Sequence, residues 1–171
     1  MPTILLFPVV IKIKHMSEFI VFDDLGMLDQ ESRHLIHKAK DAADHAYAPY
    51  SKFHVGAALL LTDGAVVTGS NQENASYPLC MCGERVALYT AVSQHHAMMV
   101  TRLAVVAFRK GHKDFVEATP CGACRQVMFE FEERQKKPFK VVLFGPGHKW
   151  YEFPSAASLL PLAFDKSSLS R

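Results

Sequence analysis

Residues 55–69 read VGAALLLTDGAVVTG, two apolar runs joined by Thr62, Asp63 and Gly64. An Asp-Gly pair between two apolar runs is a strong signal for a β-hairpin. We therefore predict strands over 55–61 and 65–69, and the remaining elements are placed outward from this hairpin.

Helices and short apolar strands alternate on either side of the hairpin. Before it, residues 29–47 carry apolar side chains at helical spacing, with Asp29 as a candidate N-cap and Pro49 behind the end. After it, two apolar runs are typical of buried strands, 103–108 and 141–144. They alternate with predicted helices over 82–92, 121–134 and 155–160. This order predicts a layered α/β domain.

The composition is that of one compact domain with a full core. The 171 residues are 49% hydrophobic and 21% charged, without an internal repeat or a long linker. The formal net charge is +2, and the basic residues are dispersed among acids. This distribution argues against a polyanionic partner such as DNA or tRNA.

The first residues form an apolar stretch that is treated separately. Residues 3–13, TILLFPVVIKI, are shorter than the roughly 20 apolar residues that span a bilayer. Their lysines come after the apolar run, whereas a signal peptide places its positive charge before it. We predict residues 1–15 to be an extension of unknown role, Met16 to be an alternative start, and residues 16–171 to be the functional domain in a reducing cytoplasm.

Three of the four cysteines fall at predicted helix starts. Cys82 begins one helix, and Cys121 and Cys124 begin another within the stretch TPCGACRQV of residues 119–127. The partial positive charge and free N–H groups of a helix N-terminus stabilise a thiolate. In a reducing compartment such cysteines are more typical of metal sites or catalysis than of disulfides.

Three chemistries compete for this pattern. The C-x-x-C of 121–124 resembles a thioredoxin-type redox pair, but that hypothesis leaves Cys82 and Glu84 without a role. A closed structural zinc site would add Cys80 as a fourth thiolate, although the C-x-C spacing is tight for paired ligands. A catalytic zinc site would use three cysteines, keep one position for water, and place Glu84 beside that water.

The catalytic alternative matches a known signature in both halves and in the right order. Zinc deaminases carry a ligand-x-Glu and then Pro-Cys-x-x-Cys, and three cysteines are an accepted ligand set. In this chain the halves are Cys82-Gly83-Glu84 and Pro120-Cys121-x-x-Cys124. Each half is weak alone, but together, with a helix and a strand between them, they form a strong signal.

The sequence resembles the cytidine deaminase family from about residue 29 to residue 164. Five segments carry the resemblance, YAPYSKFHVGAAL (47–59), NQENASYP (71–78), CGERVAL (82–88), PCGACRQV (120–127) and LLPLAF (159–164). It implies a single three-layer α/β/α domain with a central mixed sheet. It also implies zinc-dependent hydrolytic deamination of cytidine, together with deoxycytidine, to uridine or deoxyuridine in pyrimidine salvage. The chain departs from the family's usual C-A-E at Gly83.

The resemblance assigns the site residues as well. It implies one zinc ion per chain on Cys82, Cys121 and Cys124, with Glu84 as the catalytic proton shuttle and Arg85 supporting the thiolates. The substrate-binding residues that it implies are Phe53, Asn71, Glu73, Ala75, Tyr77, Gly83 and Phe164.

The implied substrate residues divide the nucleoside between them. Asn71 and Glu73 match the pair that holds the ribose, and Phe53 matches the aromatic residue that packs against the pyrimidine. The three-cysteine ligand set and the single-domain length imply a homotetramer. In such an assembly Tyr77, with Ala75, and Phe164 match positions that reach a neighbouring subunit's pocket.

Other functions stay open at this point. A deaminase of another small cytosine compound, such as blasticidin S, shares C-x-E and P-C-x-x-C-R-Q, but the loop N-x-E-N at 71–74 favours a ribose-bearing substrate. A polynucleotide-editing deaminase would need a basic groove, which the sequence does not indicate. A non-catalytic domain stabilised by a Cys₄ zinc site would have no use for Glu84. Release of ammonia from cytidine separates these alternatives.

Overall fold

The computed structural model describes residues 19–112 and 114–169. Its strands are β1 (Ile20–Phe22), β2 (Phe53–Leu61), β3 (Val66–Ser70), β4 (Val100–Arg109), β5 (Lys140–Gly145) and β6 (Lys149–Phe153). Its α-helices are α1 (Gln30–Ala43), α2 (Gly83–Gln94) and α3 (Gly122–Gln135). Four short 3₁₀ helices cover Leu25–Met27, Tyr77–Leu79, Ala156–Leu159 and Lys166–Ser168.

The six strands form one mixed sheet in the order β1-β6-β5-β4-β2-β3. The predicted hairpin is present, and β2 and β3 pair antiparallel from Gly56 opposite Ser70 to Leu60 opposite Val66. Strands β4 and β5 run parallel, while the other described pairs are antiparallel. Helix α3 is the crossover that joins the parallel pair, as a parallel connection requires.

Two hydrophobic layers lie on opposite faces of the sheet. Along β4, Leu103 and Val105 pack toward α2 and α3, and Ala104 and Val106 pack toward α1. The strand is buried on both faces because successive side chains of a strand point to opposite sides. The predicted single three-layer α/β/α fold is therefore confirmed.

Two glycines of the hairpin let a helix pack closely on each face of the sheet. A Cβ atom at Gly56 would lie 1.8 Å from the carbonyl oxygen of Ala39 in α1. One at Gly69 would lie 2.4 Å from the backbone nitrogen of Ala87 in α2. Each helix therefore contacts the strand backbone itself, which fixes the first turn of α2 against β2 and β3.

The predicted elements are present with shifted ends. Helix α1 begins after its N-cap Asp29, whose side chain accepts a hydrogen bond from the Ser32 N–H, but it ends at Ala43 and does not continue toward Pro49. The predicted final helix is a single 3₁₀ turn after Ser155, and a second one follows at Lys166–Ser168. Strands β1 and β6 were not predicted.

The N-terminal extension of residues 1–15 lies outside the described residues, and its boundary with the domain of 16–171 stays a prediction. Within the described ranges, no helix combines the length and the apolar character needed to cross a membrane.

Candidate active site

Three thiols meet where two helices begin. Cys82 is the N-cap of α2 and Cys121 is the N-cap of α3, and Cys124 lies one turn further along α3. The three sulfur atoms lie within 4.8 Å of one another, and the sulfurs of Cys121 and Cys124 are 3.4 Å apart. The helix N-termini direct free N–H groups and partial positive charge toward these sulfurs.

The geometry and chemistry of the three thiols fit a zinc ion. Tetrahedral zinc with Zn–S bonds of about 2.3 Å places its sulfur ligands about 3.8 Å apart. The sulfur spacings in this cluster fall around that value. Three thiolates leave the fourth tetrahedral position for water, which is the arrangement of a catalytic zinc site.

Glu84 is a buried carboxyl group beside the thiols. Its side chain belongs to the first turn of α2 and is 3% exposed. Its Oε2 atom has no hydrogen-bond partner within the described part of the chain. Burial raises the pKa of Glu84, and the charge of Cys82 raises it further. A carboxyl group whose pKa is raised in this way is suited to accept and then release a proton during a reaction.

Arg85, like Glu84, lies in the first turn of α2 and hydrogen-bonds the thiol cluster. A hydrogen bond from Cys124, supported by one from Arg85, lowers the pKa of Cys82 to about 5. The same bond to Cys82 raises the pKa of Cys124. The Nη2 atom of Arg85 donates to the carbonyl oxygen of Cys80 at 3.2 Å, so the guanidinium also holds the loop before α2.

The fourth cysteine is engaged elsewhere. The sulfur of Cys80 accepts a hydrogen bond from the backbone N–H of Asn74 at 3.2 Å and lies 3.6 Å from its carbonyl oxygen. Cys80 is absent from the group of three described thiols that could hold a metal. The geometry therefore favours the three-ligand alternative over the closed Cys₄ alternative.

A cavity of about 430 Å³ opens in front of the cluster. This volume lies within the range of about 300–1,000 Å³ that is typical of small-molecule sites. Six of the predicted site residues line it, namely Phe53, Asn71, Glu73, Cys82, Glu84 and Cys121. Cys124 is buried at its base in the hydrophobic core.

The loop after β3 is held in place by backbone pairing. Gln72 and Met81 exchange two backbone hydrogen bonds of 2.8 and 2.9 Å, which close the loop on itself. Tyr47 donates to the carbonyl oxygen of Asn71 and accepts from the N–H of Glu73. These bonds bring Asn71 and Glu73 to the cavity wall.

Four of the predicted substrate-binding residues lie outside the described cavity lining. Gly83 is buried, and a Cβ atom there would approach the carbonyl oxygen of Val55 to 2.9 Å, so the glycine allows α2 to start close to β2. Ala75 and Tyr77 are exposed in the loop, and the ring of Tyr77 contacts the edge of the Tyr50 ring. Phe164 is exposed in the C-terminal segment.

The contacts of two polar residues near the site are not predicted by the sequence. Arg125 donates to the carbonyl oxygens of Pro120 and Leu159, and so ties the cysteine turn to the C-terminal segment. Ser51 donates to a carboxylate oxygen of Glu73. Glu73 lies 22 residues after Ser51, and Leu159 lies 34 residues after Arg125, so no local sequence pattern indicates either contact.

A three-layer α/β/α domain that gathers three thiols able to hold zinc beside a buried carboxyl group has the parts of a zinc-dependent hydrolytic enzyme. The family model described as cytidine and deoxycytidylate deaminase zinc-binding region matches residues 29–138. The chain belongs to this deaminase family.

Relatives and solved structures agree with the family assignment. Cytidine deaminase of Sporosarcina psychrophila is 43% identical, over 80% of this chain and 93% of that protein. Cytidine deaminase of Halalkalibacterium halodurans is also 43% identical, over 80% of this chain and 96% of that protein. The crystal structure of cytidine deaminase from Burkholderia pseudomallei, 43% identical, superposes with a TM-score of 0.64 and covers 80% of this chain and 100% of that one. The crystal structure of cytidine deaminase from Mycobacterium tuberculosis is 36% identical in sequence and superposes with a TM-score of 0.62. It covers 80% of this chain and 99% of that one.

Proposed function

We propose that this chain hydrolyses cytidine, and also deoxycytidine, to the corresponding uridine and ammonia in pyrimidine salvage. The observation that carries the proposal is Glu84, a buried carboxyl group with an unpartnered oxygen beside three thiols at the end of a nucleoside-sized cavity. Zinc binding fits the cluster and the family, and we assign its ligands as Cys82, Cys121 and Cys124.

Glu84 is the group that moves protons in this proposal. A bound zinc ion supplies a water molecule whose pKa is lowered toward neutrality. Glu84 accepts a proton and delivers it to N3 of the cytosine ring, which makes C4 more electrophilic. The oxygen of the water molecule bonds to C4. Glu84 then takes the proton of the new C4 hydroxyl group and passes it to the amino group, and the C4–N4 bond breaks to release ammonia and leave the C4 carbonyl of uridine. The raised pKa of Glu84 suits a group that must change protonation state twice in each cycle.

The remaining cavity residues bind and orient the nucleoside. Phe53 offers its ring to the pyrimidine, and Glu73 offers carboxylate oxygens to the sugar hydroxyls. The Asn71 amide accepts from the N–H of Val55 at 2.7 Å and donates to the carbonyl oxygen of Phe53 at 2.9 Å. One amide hydrogen of Asn71 then remains for the substrate.

The proposal includes a homotetramer in a reducing cytoplasm. Ala75, Tyr77 and Phe164 are exposed on one chain, and we assign them to pockets that are completed by a neighbouring subunit. Gly83 is assigned to substrate binding through its position between Cys82 and Glu84.

The test is deamination of cytidine by the zinc-loaded protein. We expect the absorbance change of cytidine-to-uridine conversion, with one ammonia released per uridine formed and one zinc ion per chain. Cytosine, deoxycytidine and blasticidin S serve as comparison substrates, and a sugar-bearing substrate should be preferred over cytosine. A zinc-loaded protein that releases no ammonia from cytidine would contradict the proposal, and turnover of blasticidin S alone would replace it with the rival substrate.

A further inference from the structure

We propose that Ser51 is a positioning residue that sets recognition of the substrate's sugar, because its hydroxyl group joins Glu73 to Phe53. The inference rests on the proposed function, since it takes Glu73 as the residue that meets the sugar hydroxyls.

The Ser51 hydroxyl bridges the two walls of the cavity. It donates to Oε1 of Glu73 at 2.5 Å and accepts a hydrogen bond from the backbone N–H of Phe53 at 3.0 Å. The other carboxylate oxygen, Oε2, accepts from the backbone N–H of Tyr50 at 2.9 Å and from that of Ser51 at 3.3 Å. The carboxylate of Glu73 is therefore oriented by the turn at residues 50–51.

This arrangement leaves Glu73 ionised and still able to accept. The hydrogen bond from Ser51 is the largest influence that lowers the pKa of Glu73. An ionised carboxylate has roughly four acceptor sites, and the turn occupies three of them. The remaining acceptor capacity faces the cavity that Glu73 lines. It suits a donor such as a sugar hydroxyl.

The turn that carries Ser51 has a demanding backbone. Lys52 adopts φ of 57°, which is uncommon for a residue with a side chain. Its N–H donates to the carbonyl oxygen of Ala48 at 3.2 Å, and its carbonyl oxygen accepts from the N–H of Lys110 at 2.9 Å. Strain of this kind persists at ligand sites when surrounding bonds hold it in place. The Ser51 hydroxyl group forms two of the hydrogen bonds around this turn, and one of them is to Glu73, the residue proposed to bind the sugar.

Both backbone polar groups of Phe53 are bound by side chains of the same site. Its N–H donates to Ser51, and its carbonyl oxygen accepts from the amide of Asn71 at 2.9 Å. Loss of the Ser51 hydroxyl should therefore loosen Glu73 while Asn71 still holds Phe53 in place. We expect weaker binding of the sugar with the chemistry on the base largely unchanged.

The test compares nucleosides with and without sugar hydroxyls in Ser51→Ala. Dissociation constants for cytidine and 2′,3′-dideoxycytidine are measured by calorimetry on the zinc-loaded Glu84→Gln protein, which does not depend on turnover. With Ser51→Ala added, we expect cytidine to bind about three- to ten-fold more weakly, the worth of one net hydrogen bond, and dideoxycytidine to change less than about two-fold. In otherwise unchanged enzyme, KM for cytidine should rise by a similar factor, with kcat within about two-fold.

Two further variants separate positioning from loss of stability. Ser51→Thr keeps the hydroxyl at an exposed position and should restore cytidine binding. Ser155→Ala is a matched control, because Ser155 donates to Glu132 at 2.6 Å and accepts from the N–H two residues later at 3.1 Å, away from the cavity. It should leave both dissociation constants unchanged.

Equal weakening for both nucleosides, or no weakening for cytidine, would overturn the role of Ser51. Failure of the proposed function has a different signature, which is the absence of ammonia release by the unmutated enzyme while the binding comparison still reports on Ser51. If neither nucleoside binds, both proposals are wrong.

Discussion

Glu84 is the side chain on which the proposed chemistry depends most. It occupies the first turn of α2, is almost wholly buried, and lacks a partner for Oε2 among the described residues. A buried carboxyl oxygen without a hydrogen-bond partner costs free energy to keep out of water. A role in proton transfer explains its position beside the thiols.

Replacing Glu84 by glutamine should separate catalysis from folding and binding. The amide keeps the shape of the side chain but cannot accept and return a proton. We expect one zinc ion per chain and cytidine binding to be kept, while kcat falls by about 10⁴-fold, the upper end for general acid–base catalysis. Zinc content, calorimetric affinity and turnover check this together. Glu130→Gln, on the exposed side of α3, is the control and should stay active. Near-normal turnover in Glu84→Gln would disprove the proton-shuttle role, and loss of zinc would make Glu84 structural.

Cys80 gives the sharpest test of the ligand set. Its sulfur is engaged with the backbone of Asn74, whereas the other three sulfurs cluster. Cys80→Ser should therefore keep one zinc ion per chain and most of the activity, but Cys82→Ser should lose both. Metal analysis after gel filtration and turnover of cytidine are the measurements. Release of zinc by Cys80→Ser would support the closed Cys₄ site and count against an open catalytic position.

Single residues differed in how well the sequence predicted them. The three clustered thiols and Glu84 follow from spacing, because two helix starts impose local geometry on C-x-E and P-C-x-x-C. The contacts of Ser51 and Arg125 could not be predicted, because they depend on partners that the fold brings together, Glu73 for Ser51 and Leu159 for Arg125. A serine or an arginine in a turn carries no pattern that reveals such a partner.

At the scale of elements, the hairpin of β2 and β3 was predictable and two strands were not. Strand β6 carries Glu152 at a buried position, where it accepts from Lys140 at 2.7 Å. An ion-paired acid inside a strand interrupts the apolar alternation by which strands are detected. Strand β1 has three residues and an exposed edge, which is too short for any period to show.

The glycines of the hairpin predict a stability effect that depends on position. At Gly56 a methyl group would lie 1.8 Å from the carbonyl oxygen of Ala39, so α1 must move away from β2. We expect Gly56→Ala to lower the free energy of unfolding by about 3 kcal/mol or more, the upper range for overpacking. Urea denaturation of zinc-loaded protein at fixed concentration measures it.

Gly122→Ala is the matched control for Gly56→Ala. No atom lies within 4 Å of the added methyl group at Gly122, and alanine is favoured over glycine in a helix. Its free energy of unfolding should change by less than about 1 kcal/mol. Similar losses in the two variants would mean that helix contact with the hairpin backbone does not stabilise the fold.

At the scale of the whole molecule, the loop after β3 and the C-terminal segment expose large apolar side chains. Tyr77, Leu79, Leu162 and Phe164 are each 60% exposed or more. Gln126 of α3 donates to the carbonyl oxygen of Phe164 at 2.8 Å, so the C-terminal segment is held beside the helix that carries two thiols. Contiguous exposed apolar groups mark interaction surfaces, and the proposed homotetramer would cover side chains of this kind. The family resemblance, rather than local periodicity, singles out Tyr77 and Phe164 as residues that a neighbouring subunit would contact, and this stays a prediction.

The proposed homotetramer makes Phe164 a test of assembly and substrate binding together. If its ring reaches a neighbouring subunit's pocket, Phe164→Ala removes an apolar contact. Burial of such a side chain contributes roughly 1.5–3 kcal/mol. We expect KM for cytidine to rise about ten-fold with zinc retained. We also expect the tetramer of the variant to be weaker, so that it already dissociates at protein concentrations at which the unmutated tetramer is intact. Leu169→Ala removes a side chain that is 74% exposed in the last described residues and should change neither property. Light scattering at the assay concentration, paired with kinetics, decides the matter. A fully active monomer would rule out pockets shared between subunits, because each chain would then bind the whole nucleoside by itself.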